Sequence, residues 1–373
     1  MILFTPQTQI LLIGIVVSLS CTLVGCFLLL RNMSMMTDAI SHTILLGIVI
    51  GFFLTKDLSS PVLIISAGLI GVLTVYLVEA MHSTKLVSED SAIGIVFPLL
   101  FSIAIIIISK YARNTHLDVS CVMLGDITFA PYKKLIIGNL DLGARAIYSS
   151  GAVLVINLAF LILFFKELKV STFDPALAFV LGMIPSLIHY LLMTLVSVTI
   201  VASFEAVGSI LVIAFMIGSP ATAYLLTENL KKMIGFSSII GILNSFLGYE
   251  IAAYFDVSIP GSIALMTGIT FLCVFLFSPK NGLVFQWMTL RRNKHAFTKD
   301  TFLLHLYNHH GVTEEISAET IGNHLCWSSE QVNNVSSALL ENGFITMQED
   351  CFVITTKGEE RLRKNYAFIL EGY

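Results

Sequence analysis

Charge is what this sequence has least of. Asp, Glu, Lys and Arg make up 12% of its 373 residues, against ~25% in ordinary soluble domains. A chain that is 56% hydrophobic, with mean hydropathy +0.86, has more apolar surface than a water-facing fold can bury. Composition alone therefore makes it a polytopic membrane protein. The small net charge of −4 excludes a strong field for a polyanionic partner. No two of the six cysteines form a C-x-x-C pair, so zinc-ribbon and dithiol redox chemistry lack their ligands, and the cysteines read as small packing residues. No G-x-x-x-x-G-K-[ST] occurs, which excludes a phosphate-cradling loop of that type. The opening "MILFTPQTQILLIGIVV" lacks a basic n-region and a small-residue cleavage site, and is expected to be a retained first span.

What is present is a series of apolar runs. A span of the hydrocarbon core needs ~20 mostly apolar residues, and the candidates are 9–30, 37–55, 61–80, 91–109, 147–166, 178–202, 205–226, 234–252 and 261–279. Sidedness follows from Lys and Arg in the short loops. With the N-terminus outside, Arg31, Lys85, Lys166, Lys169, Lys231, Lys232 and "RRNK" at 291–294 fall inside. The segment 110–146, which holds Lys110, Arg113, Lys133, Lys134 and Arg145, is the exception. The expected fold is an all-α polytopic membrane protein of about nine transmembrane helices, N-out and C-in, over residues 1–285.

Beyond about residue 295 the chain turns polar, and 295–373 reads as a small cytoplasmic α+β domain. "TKDTFLLHLYNHH" suggests a first helix opened by a Thr cap, and "SAETIGNHL" and "SSEQVNNVSSALLENG" two more. "GFITMQEDCFVITTKGEERL" alternates like a two-stranded wing before a last short helix. Three helices and a hairpin in that order make a winged helix. The adjacent His309 and His310 have no partner at metal-site spacing and read as a helix end. His189, alone in an apolar span, reads as a packing residue, and Glu79 as a solvated helix-end charge.

Ionisable groups inside spans are costly and face the bundle interior or a wet pathway. Asp38 and His42 in "SMMTDAISHTIL" are four residues apart and share one helix face. Carboxylate with imidazole suits a divalent ion such as zinc, manganese or ferrous iron. Two ligands leave the shell incomplete, as a transported ion that must be released requires. The spacing alone equally fits a helix N-terminus, with Asp38 at the positive dipole end and His42 in a structural hydrogen bond.

"GCFLLLRNMSMMTDAISHTILLGIVIGFFL" at 25–54 resembles the opening signature of the manganese/zinc/iron ABC permease family. "EDSAIGIVFPLLFSIAIIIIS" at 89–109, "KELKVSTFDPALAFVLG" at 166–182, "EAVGSILVIAFMIGSPATAYLLT" at 205–227 and "VSIPGSIALMTGITFLCVF" at 257–275 resemble its later blocks, in family order. The resemblance implies a bacterial cell-membrane permease subunit with no permanent cofactor. It would move Mn²⁺, Zn²⁺ or Fe²⁺ inward, with Asp38 and His42 as intramembrane ligands. It implies three partners: a cytoplasmic ABC ATPase, a second membrane subunit (a homologue or another copy), and an extracytoplasmic metal-binding protein. The ATPase-coupling loop would fall on Phe173, Asp174, Pro175, Ala178 and Gly182. Thr37 and Leu46 depart from the family's usual Gly and Pro, and Glu205 from its usual uncharged residue.

The tail resembles metalloregulator and MarR-type winged helices, which makes a membrane-tethered metal-responsive transcriptional regulator the competing reading. DNA binding is largely electrostatic. The candidate recognition helix, 328–341, has no Lys or Arg, and residues 291–373 carry eight Lys/Arg against eleven Asp/Glu. DNA is thus not the expected partner, and protein contact or metal-linked regulation is the expected role.

Overall fold

The computed structural model describes residues 5–56, 61–111, 127–132, 134–137, 140–278, 282–309, 312–318, 320–348 and 350–370. Arg113, Lys133 and His310 lie outside them, and the side chain of Glu205 is likewise not described. Two units result, Met1–Gly282 and Leu283–Tyr373.

The first unit is built from α1 (Pro6–Leu30), α2 (Met35–Thr55), α3 (Pro61–Ser83), α4 (Glu89–Tyr111) and α5 (Arg145–Leu163). Next come two short helices, α6 (Phe165–Phe173) and α7 (Pro175–Val180), followed by α8 (Pro185–Val207). A broken helix, α9 (Ser209–Leu226), precedes α10 (Leu230–Phe255) and α11 (Ile259–Phe277). Among the described residues, nine helices are long and apolar enough to cross a membrane. Large apolar side chains such as Leu54, Ile65, Leu69, Ile106 and Leu163 lie exposed along them, which suits contact with lipid rather than water.

Inside the bundle, small residues and hydroxyls do the joining. The Asn157 amide on α5 donates to the Ser20 carbonyl of α1 and to Thr199 Oγ1 of α8, both at 3.0 Å. Thr74 of α3 donates to Thr43 of α2 at 2.8 Å, and Ser197 of α8 to the Gly68 carbonyl of α3 at 3.1 Å. Interhelical hydrogen bonds of this kind are typical glue where lipid removes the hydrophobic drive to associate. A side chain at Gly47 would strike the α3 backbone at Ser66 and Ala67. Only glycine lets α2 and α3 approach this closely.

Two boundaries differ from expectation, both through glycine. The sixth span begins at Pro185, not 178, because Gly182 at φ +78° ends the separate helix α7. The next break falls at Gly208, φ +84°, so residue 205 belongs to the end of α8 and not to the start of a new span. Helix α9 also contains a π-helical turn, Ala214–Gly218.

The second unit holds α12 (Leu283–Asn308), α13 (Thr313–Ile316), α14 (Ile321–His324) and α15 (Ser329–Glu341), then β3 (Ile345–Gln348), β4 (Cys351–Ile354) and α16 (Thr356–Leu370). The strands pair antiparallel, Ile345 opposite Ile354 and Gln348 opposite Cys351. (Strands β1, Lys134–Ile137, and β2, Leu140–Ala144, form a separate pair in the first unit.) Phe302, Leu306, Ile321, Leu339, Phe352 and Leu362 form the core. Thr298 caps nothing: its hydroxyl bonds back to the Lys294 carbonyl, and the first helix runs unbroken from Leu283. Ser328 does cap α15, in a reciprocal capping box with Gln331.

Candidate functional site

Helix α1 ends at a tight turn, with Asn32 at φ +60°, and α2 starts at Met35. Asp38 therefore lies in the first turn of α2, where the exposed N–H groups favour a carboxylate. One turn on, His42 presents Nε2 to Asp38 Oδ1 at 3.4 Å, with side-chain exposures of 29% for His42 and 45% for Asp38. Two ligand atoms of a tetrahedral first-row ion bound at ~2.1 Å sit roughly 3.4 Å apart, so the pair already has chelating separation. Phe97 and Phe101 of α4 hold the imidazole, with ring centroids 5.1 and 5.8 Å away. Its Nδ1 is buried with no hydrogen-bond partner among the described residues.

The two departures from the family pattern flank this pair. Thr37 is fully buried and donates to Met216 Sδ, in the π turn, at 3.6 Å. Leu46, also buried, lies one turn beyond His42 and beside the close-packed Gly47. Both are spent on packing and offer the site no further ligand.

The segment 173–182 is a short capped helix. Asp174 Oδ1 accepts from the Leu177 N–H at 2.9 Å, and Pro175 stands at the first helical position, where its missing N–H costs nothing. At the other end Gly182 and Met183 donate to the carbonyls of Phe179 and Ala178, each at 3.0 Å, a closure that a left-handed glycine permits. Ala178 is buried, whereas Phe173, Leu177, Phe179, Val180 and Leu181 are exposed. An apolar surface thus projects from the loop.

His189 is not the isolated packing residue its neighbours in sequence suggest. Arg31, at the end of α1, donates through Nη1 to His189 Nδ1 at 3.1 Å, through Nε to Thr172 Oγ1 at 3.1 Å, and through Nη2 to Ser171 Oγ at 2.9 Å. On its other side His189 Nε2 faces Glu79 Oε2 of α3 at 3.7 Å, so Glu79 is no solvated helix end. Desolvation lowers the pKa of Arg31, yet a guanidinium keeps its charge in proteins. One arginine thereby joins α1, α6 and α8 directly beside the capped helix. The partners come from distant parts of the chain, and only the Lys/Arg count at 31 hinted at a role.

In the second unit the expectation that His309 lacks a metal-site partner is overturned. His305, His309 and Glu315 bring ligand atoms within 4.8 Å of one another. The H-x-x-x-H spacing at 305 and 309, the same as D-x-x-x-H at 38 and 42, was the available signal.

Residues 7–278 match the model of the ABC 3 transport family. The chain is 44% identical over 278 residues to the manganese transport system membrane protein MntD of Bacillus subtilis, covering 74% of this chain and 94% of that protein. It is 41% identical over 353 residues to the zinc transport system membrane protein TroD of Treponema pallidum, covering 94% of this chain and 96% of that one. That second match necessarily extends into the C-terminal unit. Among solved structures, PsaBC from Streptococcus pneumoniae in complex with Fab superposes with a TM-score of 0.62 at 32% identity, over 76% of this chain and 94% of that one. By its apolar helices and these relatives this is a multi-pass membrane protein, and the chain belongs to the ABC 3 transport family.

Proposed function

We propose that this chain is the permease subunit of an ATP-binding-cassette importer that carries Mn²⁺, Zn²⁺ or Fe²⁺ across a bacterial cell membrane. The observation that carries the reading is the Asp38–His42 pair, at chelating distance in the first turns of a largely buried helix. The ion is cargo here, taken by these two side chains and completed by water or by residues of a second membrane subunit. An extracytoplasmic metal-binding protein delivers it, and a separate cytoplasmic ATPase supplies the energy.

The capped helix Pro175–Val180 is the lever for that ATPase. Its exposed Phe179 and Val180 suit a hydrophobic cleft on the partner, and Arg31 clasps α6, next to the lever, to the bundle. The orientation is N-out and C-in, with residues 1–285 as the permease and 295–373 as a cytoplasmic winged helix. The order of a long helix, three shorter ones, a paired hairpin and a last helix supports that reading of the tail.

Membrane-tethered transcriptional regulation is the weaker reading. Helix α15, the candidate recognition helix, offers no cation for phosphate. Two of the four basic residues beyond the hairpin are already engaged: Arg361 pairs with buried Asp300 at 2.8 Å, and Lys357 donates to the Asn342 carbonyl at 3.0 Å.

The deciding experiment is radiolabelled metal uptake in the reconstituted complex with Asp38→Ala. Uptake should fall to background while subunit assembly and protein level stay unchanged. Normal uptake by that variant would remove the ligand assignment.

A further inference from the structure

We propose that the C-terminal unit has a metal site of its own, in which His305, His309 and Glu315 hold a divalent first-row ion, zinc in preference to manganese. His305 and His309 stand one turn apart at the end of α12, their ring centroids 4.6 Å apart. Glu315 lies on the next element, α13, and its Oε2 meets Nδ1 of His309. All three residues are of intermediate burial, a setting that an ion can still enter.

The protonation pattern also suits a ligand. His305 Nε2 lies 3.1 Å from the backbone carbonyl of Glu315. A carbonyl only accepts, so Nε2 carries the proton and Nδ1 is left with its lone pair. Metal-binding histidines usually donate their other N–H to a carbonyl or carboxylate in this way, which fixes tautomer and ring orientation. His324 stacks on the same ring at 6.1 Å and 30° and braces it further.

Two imidazoles and one carboxylate are a donor set that zinc takes readily, with a fourth position open to water. Manganese, lower in the affinity series for such ligands, binds more weakly. The 4.8 Å limit on ligand separation exceeds the roughly 3.4 Å of a closed tetrahedral shell, so the ion draws the three together. Binding displaces the His309–Glu315 contact and clasps the end of α12 to α13. Three protein ligands with one open position make a reversible site, as a sensor of the ion requires. The site shares no residue with Asp38 and His42 and stands whether or not that pair carries cargo.

The test uses the full chain, purified in detergent, stripped of metal and dialysed against Zn²⁺, with bound zinc counted by mass spectrometry. Asp38→Ala should keep a zinc ion that Asp38→Ala combined with His305→Ala/His309→Ala loses. With Co²⁺ as probe, Asp38→Ala should give the visible bands of a tetrahedral ion, and Glu315→Gln should weaken binding by at least ~10-fold, the lower range for disturbing groups that merely support a ligand. Glu315→Gln and His309→Gln keep side-chain size, so they carry the test if the double alanine variant fails to fold. Equal zinc content and equal Co²⁺ affinity in Asp38→Ala with and without His309→Gln would overturn the proposal and leave His309–Glu315 as a structural ion pair only.

Discussion

Arg31 donates a 3.1 Å hydrogen bond to Nδ1 of His189, and this one contact sets the state of the imidazole. A guanidinium has donors only, so Nδ1 must be the acceptor and the ring is neutral, with its proton on Nε2 toward Glu79. The remaining nitrogens of Arg31 bind Ser171 and Thr172, immediately before the capped helix. Arg31 therefore ties α1 and α8 to the segment that leads into that helix.

Arg31→Lys should therefore impair transport although it preserves the charge. A lysine has no fork to satisfy three partners at once. Loss of hydrogen bonds to a charged group costs ~1.5–3 kcal/mol. Thermal unfolding in detergent should show the loss of stability. ATP hydrolysis by the assembled complex should become less dependent on metal delivery. Unchanged stability and unchanged coupling would remove Arg31 from the lever.

His42→Asp tests the chemistry of the proposed cargo site. Replacing imidazole by carboxylate makes the donor set harder, and harder oxygen ligands favour manganese over zinc. In competition uptake the Mn²⁺/Zn²⁺ preference should move toward manganese, by at least roughly the tenfold that disturbing a group supporting a ligand produces. Movement toward zinc would contradict the assignment.

Both ends of the capped helix can be loosened separately. Asp174→Ala removes the N-cap bond to Leu177, worth ~1 kcal/mol. Gly182→Ala meets no neighbour within 4 Å, so its cost is purely that of holding an L-residue at φ +78°, ~1–2 kcal/mol. Neither change touches the Asp38–His42 pair. Metal affinity of the purified chain should stay constant while the uptake rate falls in both.

Much of this molecule is legible from sequence, because apolar length is a signal that neighbours cannot mask. The nine candidate spans correspond to nine helices among the described residues within a few residues, except where Gly182 and Gly208 break an apolar run that hydropathy alone joins. Asp174 with Pro175 announces its own helix start. Contacts between remote residues are another matter. His189 looks solitary because Arg31 lies 158 residues away. The pairing of His309 with His310 in sequence hides the productive partner, His305, one helical turn earlier. Thr298 looks like a cap, yet a continuous helix from Leu283 overrides it, since a threonine hydroxyl can bond back to the preceding turn.

The exposed apolar tip of the capped helix makes the last prediction. Phe179 is 73% and Val180 80% exposed, so neither supports the fold by burial, and a surface change there costs little stability. Val180→Asp and Phe179→Glu should leave the detergent-purified chain as stable as before. In the complex, each would bury an unpaired carboxylate against an apolar cleft, at a cost of several kcal/mol. Co-purification with the ATPase should fall sharply and metal-stimulated ATP hydrolysis should vanish. Zinc and manganese binding to the isolated chain should persist. If the ATPase instead assembles normally with Phe179→Glu, its docking surface lies elsewhere, and the lever role of 173–182 goes with it.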